Sequence, residues 1–595
     1  MRPWWERHPG RLEEELEGFA DRGFKVQLDQ AALAGGRVVV QGTYEVDGTV
    51  VDLKVSFPDD YPATRFAANA NGLKLPRHQA PHGDLCLLGR GSDHWRREWL
   101  AADVIEEQLP KLAAMESLTE EALRELEDPQ GEPYSAYYLY ENTGAVLVPE
   151  DVADAMAGSS NGQITVQMLD EGHWPAALPG EGDAWGQGTV VKIVDEAGRE
   201  ARAPAELAAR VAGPTWRGTW IRLDGPLDAT LSDRDLITEL RGHGAAIDFR
   251  AHRTGAFESA LVALVFPEEA RQGETADAWI FIVITRRKTQ RTGSKGRRQP
   301  AASQDERQNV RLLRGLRTGP LAHGERIPEV AGLRDCSVVV IGLGSLGSPI
   351  ARELAKAQLG DLIGIDSDFS DAGPVVRWDL GLGSVGPGKA RALREQLARD
   401  YPFTRMNILD MEVGHTFGGR GAGGKDELEL VLMTADLVID ATGEPNVREV
   451  IAEYAKEAGI PMISVWSFEG YGGVVMRIAP GAGACYYCFE RWLSPDSGAI
   501  QLPSGPLDPQ RVQPFNCSDR TFTATSPDLR PLADHAVRMA FGELTGGVGN
   551  GYPTYAADTY IYWHRNADGS LVDPPEWSAE TMPRHDDCPC HADES

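Results

Sequence analysis

The sequence predicts a multi-domain protein of mixed α/β and α+β class. We expect an α+β domain at residues 1–138, a mixed α/β domain at 139–325 and a parallel α/β domain at 326–595. Three observations lead to this prediction. A helical segment followed by alternating strands opens the chain, strand-like and helical runs mix in the middle, and a glycine-rich turn joins a buried strand to a helix near residue 342. The chain has 595 residues, enough for each domain to bury its own core.

Apolar residues at helical spacing open the N-terminal region. Leu12, Leu16 and Phe19 recur with the period of an amphipathic helix inside an acidic segment. Residues 37–46 are rich in β-forming side chains, and residues 51–57 alternate apolar and polar side chains. Asp47-Gly48 between them is a hairpin turn signal. The pattern predicts a helix and an antiparallel meander, followed by another helix near residues 101–109.

The middle region carries no catalytic constellation that we can recognise. Residues 189–194 and 279–284 predict strands, the second fully buried, whereas 205–212 and 232–240 predict helices. The basic stretch at 286–298 is rich in Gly, Ser and Thr, which predicts a solvated loop. Contact between that loop and an acidic partner is the alternative.

A nucleotide-binding fingerprint opens the C-terminal region. A strand at 336–341 runs into Gly342-Leu343-Gly344-Ser345-Leu346-Gly347, and the next strand at 362–365 ends in Asp366-Ser367-Asp368. Glycines let the backbone approach a phosphate at a helix N-terminus, and an acid after the second strand binds ribose hydroxyls. This pattern is Rossmann-like, and by itself it would predict a dinucleotide enzyme.

Three charged residues downstream indicate a triphosphate instead. Arg377 and Lys389 follow the second strand, and Asp440 ends a further strand at 437–440. Cleavage of a triphosphate at its α-phosphate requires cations that neutralise the developing charge and an acid that holds Mg²⁺. A dinucleotide site does not need this set of side chains.

Charge and hydropathy exclude two classes of partner. The formal net charge is −30, which argues against nucleic acid because nucleic-acid binders carry a basic footprint. No apolar run reaches the roughly 18 residues that span a bilayer, and the N-terminus lacks the apolar core of a signal peptide. We therefore expect a cytoplasmic protein that binds neither nucleic acid nor membrane.

The seven cysteines are an odd number in a chain without a signal, which argues against a disulfide framework. Two tight pairs, Cys485/Cys488 and Cys588/Cys590, predict a tetrahedral zinc site. The second pair has a single intervening residue, so His585 or His591 could replace a thiolate, and unpaired surface cysteines are the alternative. Cys336 precedes a core strand and is expected to pack there.

The N-terminal region resembles ubiquitin-conjugating enzymes. Over residues 1–138 it carries Phe57-Pro58-Asp59-Asp60-Tyr61-Pro62, then Gly83-Asp84-Leu85-Cys86-Leu87, then Trp95, in the order that this family shows. The resemblance implies that Cys86 is a nucleophile that carries a thioester. His78 stands where the family has an asparagine that supports the oxyanion, and a histidine is also a hydrogen-bond donor. A buried packing cysteine is the alternative for Cys86.

The C-terminal region, from about residue 326 to the end, resembles the adenylating domain of ubiquitin-activating enzymes and of their bacterial ThiF-family relatives in thiamine and molybdenum-cofactor synthesis. The resemblance implies ATP and Mg²⁺ as cofactors, with Asp366 on the ribose, Arg377 and Lys389 as catalytic cations on the phosphates, and Asp440 on magnesium. Pro374 replaces an asparagine of the family. The residues expected to bind ATP are Gly342, Gly344, Gly347, Asp366, Asp368, Arg377, Lys389 and Asp440.

The resemblance also assigns the remaining cysteines. The related domains carry zinc where Cys485, Cys488, Cys588 and Cys590 stand. Ubiquitin-activating enzymes place their thioester cysteine in a crossover loop, and Cys517 lies in the corresponding stretch, ahead of a helical segment at 532–544. A position before a helix also lowers a thiol pKa. An ordinary cysteine before a helix is the alternative.

The order of the three regions resembles the fused activating–conjugating proteins of bacterial anti-phage operons, of the CBASS type. This resemblance implies that the chain adenylates the C-terminus of a partner protein, either a cyclic-nucleotide synthase or a ubiquitin-like protein. The acyl group would pass to Cys517, then to Cys86, and finally to a lysine of a target protein. A homodimer is expected by the same resemblance.

Two alternatives keep part of this chemistry or none of it. The first is a sulfur-carrier-type adenylyltransferase whose conjugating-like module only binds; the intact Gly-Asp-Leu-Cys-Leu segment and the fusion count against it. The second is an NAD-dependent oxidoreductase, against which Arg377, Lys389 and Asp440 argue.

Overall fold

The computed structural model of the protein forms two compact units, Met1–Ala203 with Ala212–Leu316 (unit 1) and Pro204–Val211 with Arg317–Ser595 (unit 2). The structure describes residues 2–46, 48–75, 77–88, 95–115, 131–140, 144–169, 186–211, 213–250, 252–254, 257–271, 274–287, 308–414, 424–481, 483–506, 523–546 and 551–588. No helix among these residues combines the length and apolarity needed to cross a bilayer.

Unit 1 is built mainly from strands. Its helices are α1 (Trp4–Arg7), α2 (Arg11–Asp21), α3 (Gln30–Ala34), α4 (Ala101–Ala114), α5 (Glu150–Ala155), α7 (Asp233–Gly242) and a 3₁₀ turn (Tyr134–Tyr137). Its strands are β1 (Lys25–Leu28), β2 (Val38–Val46), β3 (Thr49–Phe57), β4 (Ala67–Asn71), β5 (Gly144–Pro149), β6 (Asn161–Met168), β7 (Gly186–Asp195), β8 (Glu200–Arg202), β9 (Thr215–Arg222), β10 (His252–Thr254), β11 (Phe257–Arg271), β12 (Glu274–Arg287) and β13 (Gln308–Thr318).

The first part of unit 1 is an antiparallel meander in the order β1-β2-β3-β4. Strand β3 buries Val51, Leu53, Val55 and Phe57, the alternate residues that the sequence pattern marks. These side chains pack with Phe19 of α2 and with the apolar side of α4 in one core. The predicted helix, meander and following helix are therefore confirmed.

A buried polar cluster holds these elements together. Glu15 of α2 is fully buried, accepts a bond from Arg11 at 2.8 Å and accepts the backbone N–H of Ala101 at 2.9 Å. Tyr61, in the turn after β3, donates its hydroxyl to Glu15. Burial raises the pKa of Glu15, and the hydrogen bonds to its charged form oppose that rise. The cluster fixes the Phe-Pro-x-x-Tyr-Pro turn against α2 and the start of α4.

The middle part of unit 1 is a nine-stranded sheet in which seven strands close into a ring. The order β11-β12-β13-β5-β7-β6-β9 returns to β11 through a parallel β9–β11 pairing. Alternate residues of β11 and β12 fill the inside of the ring with Trp216 and Trp220, and the other face packs under α7. The predicted strands at 189–194 and 279–284 and the helix at 232–240 are present. The predicted loop at 286–298 begins as part of β12, and residues 288–298 lie outside the described residues.

Unit 2 is an α/β fold around one eight-stranded sheet. Its helices are α6 (Ala205–Ala209), α8 (Pro320–Gly324), α9 (Gly347–Lys356), α10 (Lys389–Asp400), α11 (Gly424–Leu432), α12 (Pro445–Ala458), α13 (Tyr486–Leu493) and α14 (Ser526–Thr545), with 3₁₀ turns at Pro328–Asp335, Gly373–Val376, Leu382–Ser384 and Pro495–Ser497. Its strands are β14 (Ser337–Ile341), β15 (Asp361–Ile365), β16 (Arg405–Leu409), β17 (Leu437–Asp440), β18 (Met462–Ser467), β19 (Gly472–Ile478), β20 (Thr559–Arg565) and β21 (Leu571–Glu580).

The strand order β16-β15-β14-β17-β18-β19-β20-β21 places a topological switch beside β14. The first five strands are parallel, and the chain leaves β14 toward β15 on one side and returns to β17 on the other. Ligands of such sheets bind beyond the carboxyl ends of the strands at this switch point. The fold thus confirms a Rossmann-like C-terminal domain and identifies the edge at which a site is expected.

His535 of α14 is buried among the rings of Tyr555, Tyr560 and Trp577, with centroid distances of 4.5–4.8 Å. Burial lowers the pKa of its imidazole from 6.5 to about 4. Between pH 4 and pH 6.5 the imidazole binds a proton more readily in the unfolded chain than in the folded one. The free energy of unfolding therefore rises with pH across this range and falls as the solution is acidified.

We expect His535→Phe to remove this acid sensitivity, because phenylalanine keeps a ring in the aromatic cluster but does not titrate. Between pH 7 and 5 the wild-type contribution to the free energy of unfolding falls by about 2 kcal/mol. Urea unfolding at both pH values, read by hydrogen exchange of α14, measures the difference. His243→Gln, which changes an exposed histidine on α7, is the control; an equal acid loss in wild type and His535→Phe would contradict the prediction.

Candidate functional site

The glycine turn between β14 and α9 lies at the carboxyl edge of the parallel strands. Gly342 has a φ of 83°, and a Cβ there would approach the backbone of Ala441 to 2.9 Å. A Cβ on Gly347 would lie 1.8 Å from the carbonyl oxygen of Gly342, whereas Gly344 has no atom within 4 Å of such a position. The fold therefore requires the first and third glycines, and the second keeps the turn open to an approaching phosphate.

The acid after β15 is bonded directly to this turn. Asp366 accepts the backbone N–H of Leu343 at 2.7 Å and that of Asp368 at 2.8 Å. Burial raises the pKa of Asp366, and the Lys389 charge acts against that rise. Lys389, the first residue of α10, donates to the Asp368 carboxylate at 2.7 Å. Three of the predicted nucleotide residues therefore lie around the glycine turn.

Asp440 ends β17 at the same edge and is fully buried. Its Oδ1 accepts the Thr442 N–H at 3.0 Å and the Thr442 hydroxyl at 2.6 Å. Its Oδ2 accepts the Ser464 hydroxyl at 2.6 Å and Nε of Arg448 at 3.2 Å. A carboxylate offers about four lone-pair positions, so these four bonds use its acceptor capacity. A magnesium ion could bind Asp440 only by displacing one of them, of which the Arg448 bond is the longest.

Arg377 follows the 3₁₀ turn Gly373–Val376, and the residue after it contacts the glycine turn. Its backbone N–H donates to the Pro374 carbonyl at 2.9 Å, and burial lowers the pKa of its guanidinium. The next residue, Trp378, donates its indole N–H to the Leu343 carbonyl at 2.9 Å. The segment that carries Arg377 is thus fixed to the glycine turn, although Pro374 supplies no side-chain amide.

The turn between β18 and β19 contacts both ends of the segment that contains Cys517. Tyr471 donates its hydroxyl to the Pro506 carbonyl at 3.2 Å, and its ring leaves no space for a Cβ on Gly505. On the other side, Thr523 donates to Glu469 at 3.3 Å. Cys517 itself lies outside the described residues. Because β18 is parallel to β17, this turn lies at the same sheet edge as Asp440.

Three thiols meet at the opposite edge of the sheet. Cys485 Sγ lies 3.7 Å from Cys488 Sγ and 3.3 Å from Cys588 Sγ, and the His585 N–H donates to Cys488 Sγ at 3.3 Å. Close thiolates that accept backbone N–H bonds suit a tetrahedral zinc ion. Among the described residues the cluster consists of Cys485, Cys488 and Cys588; Nδ1 of His585 accepts the Asp587 N–H. Cys590 and His591 lie outside the described residues.

The loop of Cys86 is paired with the edge strand β4. Leu85 donates its N–H to the Ala68 carbonyl at 2.8 Å, and Cys86 donates its N–H to the His78 carbonyl at 2.7 Å. The Cys86 thiol is half-buried and contacts the Leu88 carbonyl at 3.4 Å. A cavity of about 130 Å³, lined by Arg65, Phe66, Ala67, Ala68 and residues 85–88, opens beside it. The thiol is thus held on a fixed loop next to space for another group.

The two histidines near Cys86 have different surroundings. His78 has a left-handed φ of 61°, and both its backbone N–H and its carbonyl oxygen form hydrogen bonds. His82 is exposed and pairs through Nε2 with Asp84 at 2.8 Å. The Cys86 N–H is therefore bonded to the backbone of His78, whereas the His82 side chain pairs with Asp84.

Two further groups at the carboxyl edge of the parallel strands escaped sequence reasoning. Arg448 is buried, stacks 3.9 Å over the ring of Trp466, and keeps Nη2 without a hydrogen-bond partner among the described residues. Ser464 of β18 is fully buried against Asp440. The spacing between Asp440 and Arg448, which lies in the first turn of α12, was the available signal, but it resembles ordinary helix composition.

The C-terminal region is similar to known proteins. Residues 326–530 match the model of the ThiF family. The probable adenylyltransferase/sulfurtransferase MoeZ of Mycobacterium tuberculosis is 28% identical over 158 residues, which cover 26% of this chain and 38% of MoeZ. A crystal structure of Escherichia coli MccB with ATP aligns with a TM-score of 0.33 and 16% identity, over 45% of this chain and 71% of that one.

A second relative matches almost the whole chain. The protein y4qC of Sinorhizobium fredii NGR234 is 27% identical over 616 residues, which cover 98% of this chain and 96% of y4qC. Both the N-terminal and the C-terminal regions therefore recur together in a similar protein. The ThiF-family match coincides with the part of unit 2 in which the glycine turn, Asp366, Lys389 and Asp440 share one sheet edge.

Proposed function

We propose, on the premise that residues 326–530 form a ThiF-family adenylyltransferase domain, that the chain joins the C-terminal carboxylate of a partner protein to an amine. The observation that carries this proposal is the set of groups at one sheet edge. An open glycine turn, the acid Asp366 bonded to that turn, the cation Lys389 beside Asp368, and the Asp440 cluster all lie at the carboxyl edge of the parallel strands.

The first step is adenylation. A carboxylate oxygen of the partner attacks the α-phosphorus of ATP, and the bond to the β-phosphate breaks to release pyrophosphate. Gly344 leaves room for the phosphates, Asp366 accepts the ribose hydroxyls, and Asp368 lies beside Lys389 at the same edge. Arg377 and Lys389 neutralise the charge that develops on the phosphates. Lys389 would exchange its Asp368 partner for a phosphate oxygen.

Magnesium, when bound, would screen the triphosphate and orient its leaving group. Asp440 is the proposed ligand, and it would give up the bond from Arg448 on binding. Arg448, whose Nη2 is buried without a hydrogen-bond partner among the described residues, would then be free to donate from Nε as well.

The next two steps move the acyl group between thiols. The Cys517 thiolate attacks the acyl carbon and releases AMP, and the Cys86 thiolate then displaces Cys517 from the thioester. The ends of the Cys517 segment are bonded to the turn after β18, which supports a position near the adenylate. Each transfer exchanges one thioester for another and so divides a difficult acylation into easier steps.

In the last step a lysine amine attacks the acyl carbon of the Cys86 thioester and loses a proton, the C–S bond breaks to release the Cys86 thiolate, and an isopeptide forms. The cavity beside Cys86 supplies space for the acyl chain or for the amine. The proposed partner is a cyclic-nucleotide synthase or a ubiquitin-like protein, and the proposed setting is a CBASS-type anti-phage operon. A homodimer is the proposed assembly.

The proposed zinc ion is held by Cys485, Cys488, Cys588 and Cys590 and has a structural role. Strand β19 runs antiparallel to β18, so the chain reaches Cys485 at the edge opposite the glycine turn. The ion would fasten the C-terminal segment to α13. It takes no part in acyl transfer.

We expect Cys588→Ser to lower the zinc content, from about one ion per chain, and the stability of unit 2 by several kcal/mol. The fraction that stays folded should keep its rate of ATP–pyrophosphate exchange, because the cluster lies away from the nucleotide edge. Metal analysis, thermal unfolding and exchange kinetics measure the three quantities. Cys336→Ser is the matched control. Loss of exchange in folded, zinc-free protein would contradict a structural role.

A sulfur-carrier activator is the second candidate, favoured by the likeness to MoeZ, whose name includes sulfurtransferase activity. In that case adenylation would proceed but no acyl group would reach Cys86.

The deciding experiment expresses the chain with its genomic neighbours and ATP, and separates the products on non-reducing gels. An ATP-dependent, reducible adduct that mass spectrometry assigns to Cys517 or Cys86 supports the relay and identifies the partner. ATP turnover without an adduct would favour the sulfur-carrier function, and absence of pyrophosphate release would reject both.

A further inference from the structure

A chain of hydrogen bonds links the Cys86 loop to strand β11 of the nine-stranded sheet. Cys86 donates its N–H to the His78 carbonyl, and His78 donates its own N–H to the Glu132 carboxylate at 2.5 and 2.6 Å. Glu132 in turn donates its N–H to Glu269 at 3.0 Å. The backbone around Cys86 is therefore connected through two carboxylates to the middle part of unit 1.

A second contact runs beside the first. Arg77 donates to both oxygens of Glu269, at 2.7 and 2.6 Å, and both side chains are largely buried. Tyr137 donates its hydroxyl to Glu132 at 2.6 Å, which orients that carboxylate. Both bonds come from Nη1 of Arg77, and hydrogen bonds between charged partners are stronger than those between neutral groups.

The backbone of His78 needs such support. A left-handed φ is costly for a residue with a side chain, and it persists only where the surroundings hold it. Its N–H donates to Glu132 and its carbonyl accepts from Cys86, and both bonds help to hold this conformation. Without Glu132, His78 would relax toward an ordinary φ and would carry the Cys86 N–H with it.

We infer that Glu132 is a positioning residue that fixes the Cys86 loop. The segment that carries Glu132 and the nine-stranded sheet that it contacts would thus set the reactivity of the Cys86 thiol. This inference deepens the proposed function and rests on it for the transfer step. The loop geometry itself can be tested without any acyl transfer. Unit 1 thus contains a support for its own thiol, built from Glu132, Glu269 and Arg77.

The test is alkylation of Cys86 by iodoacetamide in the full-length chain, quantified by mass spectrometry of the peptide that carries it. Loss of a hydrogen bond to a charged acceptor loosens a loop, so we expect Glu132→Ala to raise the alkylation rate about three- to tenfold. Glu132→Gln, which retains one acceptor, should give a smaller rise. Cys336, with its thiol bonded to the Gly332 carbonyl in unit 2, is the internal reference.

Strand β11 offers a matched pair of variants. Glu269→Ala removes a carboxylate that holds Arg77, whereas Glu258→Ala removes one that pairs with Arg286 of the neighbouring strand β12 at 2.6 Å. We expect the first to accelerate alkylation and the second to leave it unchanged. An equal rise in both would mean general loosening of the sheet and would overturn the inference.

A double-mutant cycle separates positioning from stability. Glycine adopts a φ of 61° without cost, so the effect of Glu132→Ala should shrink at least about threefold in the His78→Gly background. An undiminished effect would overturn the inference, as would no effect of Glu132→Ala in either background.

Acyl transfer gives the second readout. In a chain that forms adducts, Glu132→Ala should slow transfer from Cys517 to Cys86 about tenfold or more and leave ATP–pyrophosphate exchange unchanged. If wild-type protein never forms an adduct, the proposed function fails while alkylation still decides the role of Glu132. If adducts form and Glu132→Ala changes neither the alkylation rate of Cys86 nor the rate of transfer to it, the inference alone fails.

Discussion

Lys389→Met is expected to lower the rate of ATP–pyrophosphate exchange by about 10²–10³-fold. The proposed function has this ammonium neutralise the charge that develops on the phosphates, and removal of one preorganised donor from such a site has an effect of this size. The loss should fall mainly on kcat, because the interaction strengthens in the transition state. Exchange of labelled pyrophosphate into ATP measures it without knowledge of the final target, provided that the partner is present.

Two controls separate chemistry from surface electrostatics. Lys356→Met removes an ammonium that pairs with Glu353 on α9 at 2.7 Å, away from the glycine turn, and should leave exchange unchanged. Asp368→Asn removes the resting partner of Lys389. The Asp368 side chain is largely exposed, whereas that of Lys389 is largely buried. An exposed ion pair contributes little stability, so this variant should change exchange by less than about tenfold. If Asp368→Asn were as damaging as Lys389→Met, the pair itself, and not contact with phosphate, would explain the loss.

The Rossmann-like part of unit 2 was predictable because the relevant features are local. A glycine turn between a buried strand and a helix, followed by an acid at the end of the next strand, is encoded within about thirty residues. Lys389 and Asp440 also follow short, recognisable elements. The structure places the glycine turn, Asp366, Lys389 and Asp440 at the carboxyl ends of β14, β15 and β17, as parallel-strand geometry requires.

The supports of these residues were not predictable in the same way. Arg448 and Ser464 complete the acceptor shell of Asp440, and they come from a helix and a strand whose positions depend on the whole sheet. The sequence marks each as an ordinary member of its element. Their role follows from burial beside a charge, which requires hydrogen-bond partners that only tertiary structure supplies.

The middle region shows the same limit on a larger scale. Its strands were recognisable, but the parallel pairings β5–β7 and β9–β11 join segments that are far apart in the chain. Such non-local pairings leave no periodic signal, so a closed ring could not be distinguished from a small mixed domain. Glu269 belongs to this case, because its contact with Arg77 spans 192 positions.

Substitution of the two proposed carrier cysteines should have the largest effect of all, a loss of about 10³-fold or more in conjugate formation for either one. The two variants should block the reaction at different steps, however. Cys517→Ala should form no adduct while pyrophosphate exchange stays within about twofold of wild type, since adenylation takes place before the Cys517 thiol reacts. Cys86→Ala should retain a reducible adduct on Cys517, because the acceptor of the next transfer is missing. Cys336→Ala, which removes a half-buried thiol bonded to the Gly332 carbonyl, should leave every step intact.

The pattern across these variants decides between the proposed relay and its alternatives. Conjugate in either Cys517→Ala or Cys86→Ala would contradict a serial relay, since each thiol would then be dispensable. An adduct on Cys517 that forms equally in wild type and in Cys86→Ala, without any conjugate, would assign the N-terminal region to binding and favour a carrier-activating enzyme. A trapped adduct on Cys517 in Cys86→Ala that disappears from wild type as conjugate accumulates would require transfer between the two thiols. That transfer would in turn give the Glu132 support of the Cys86 loop a direct catalytic consequence.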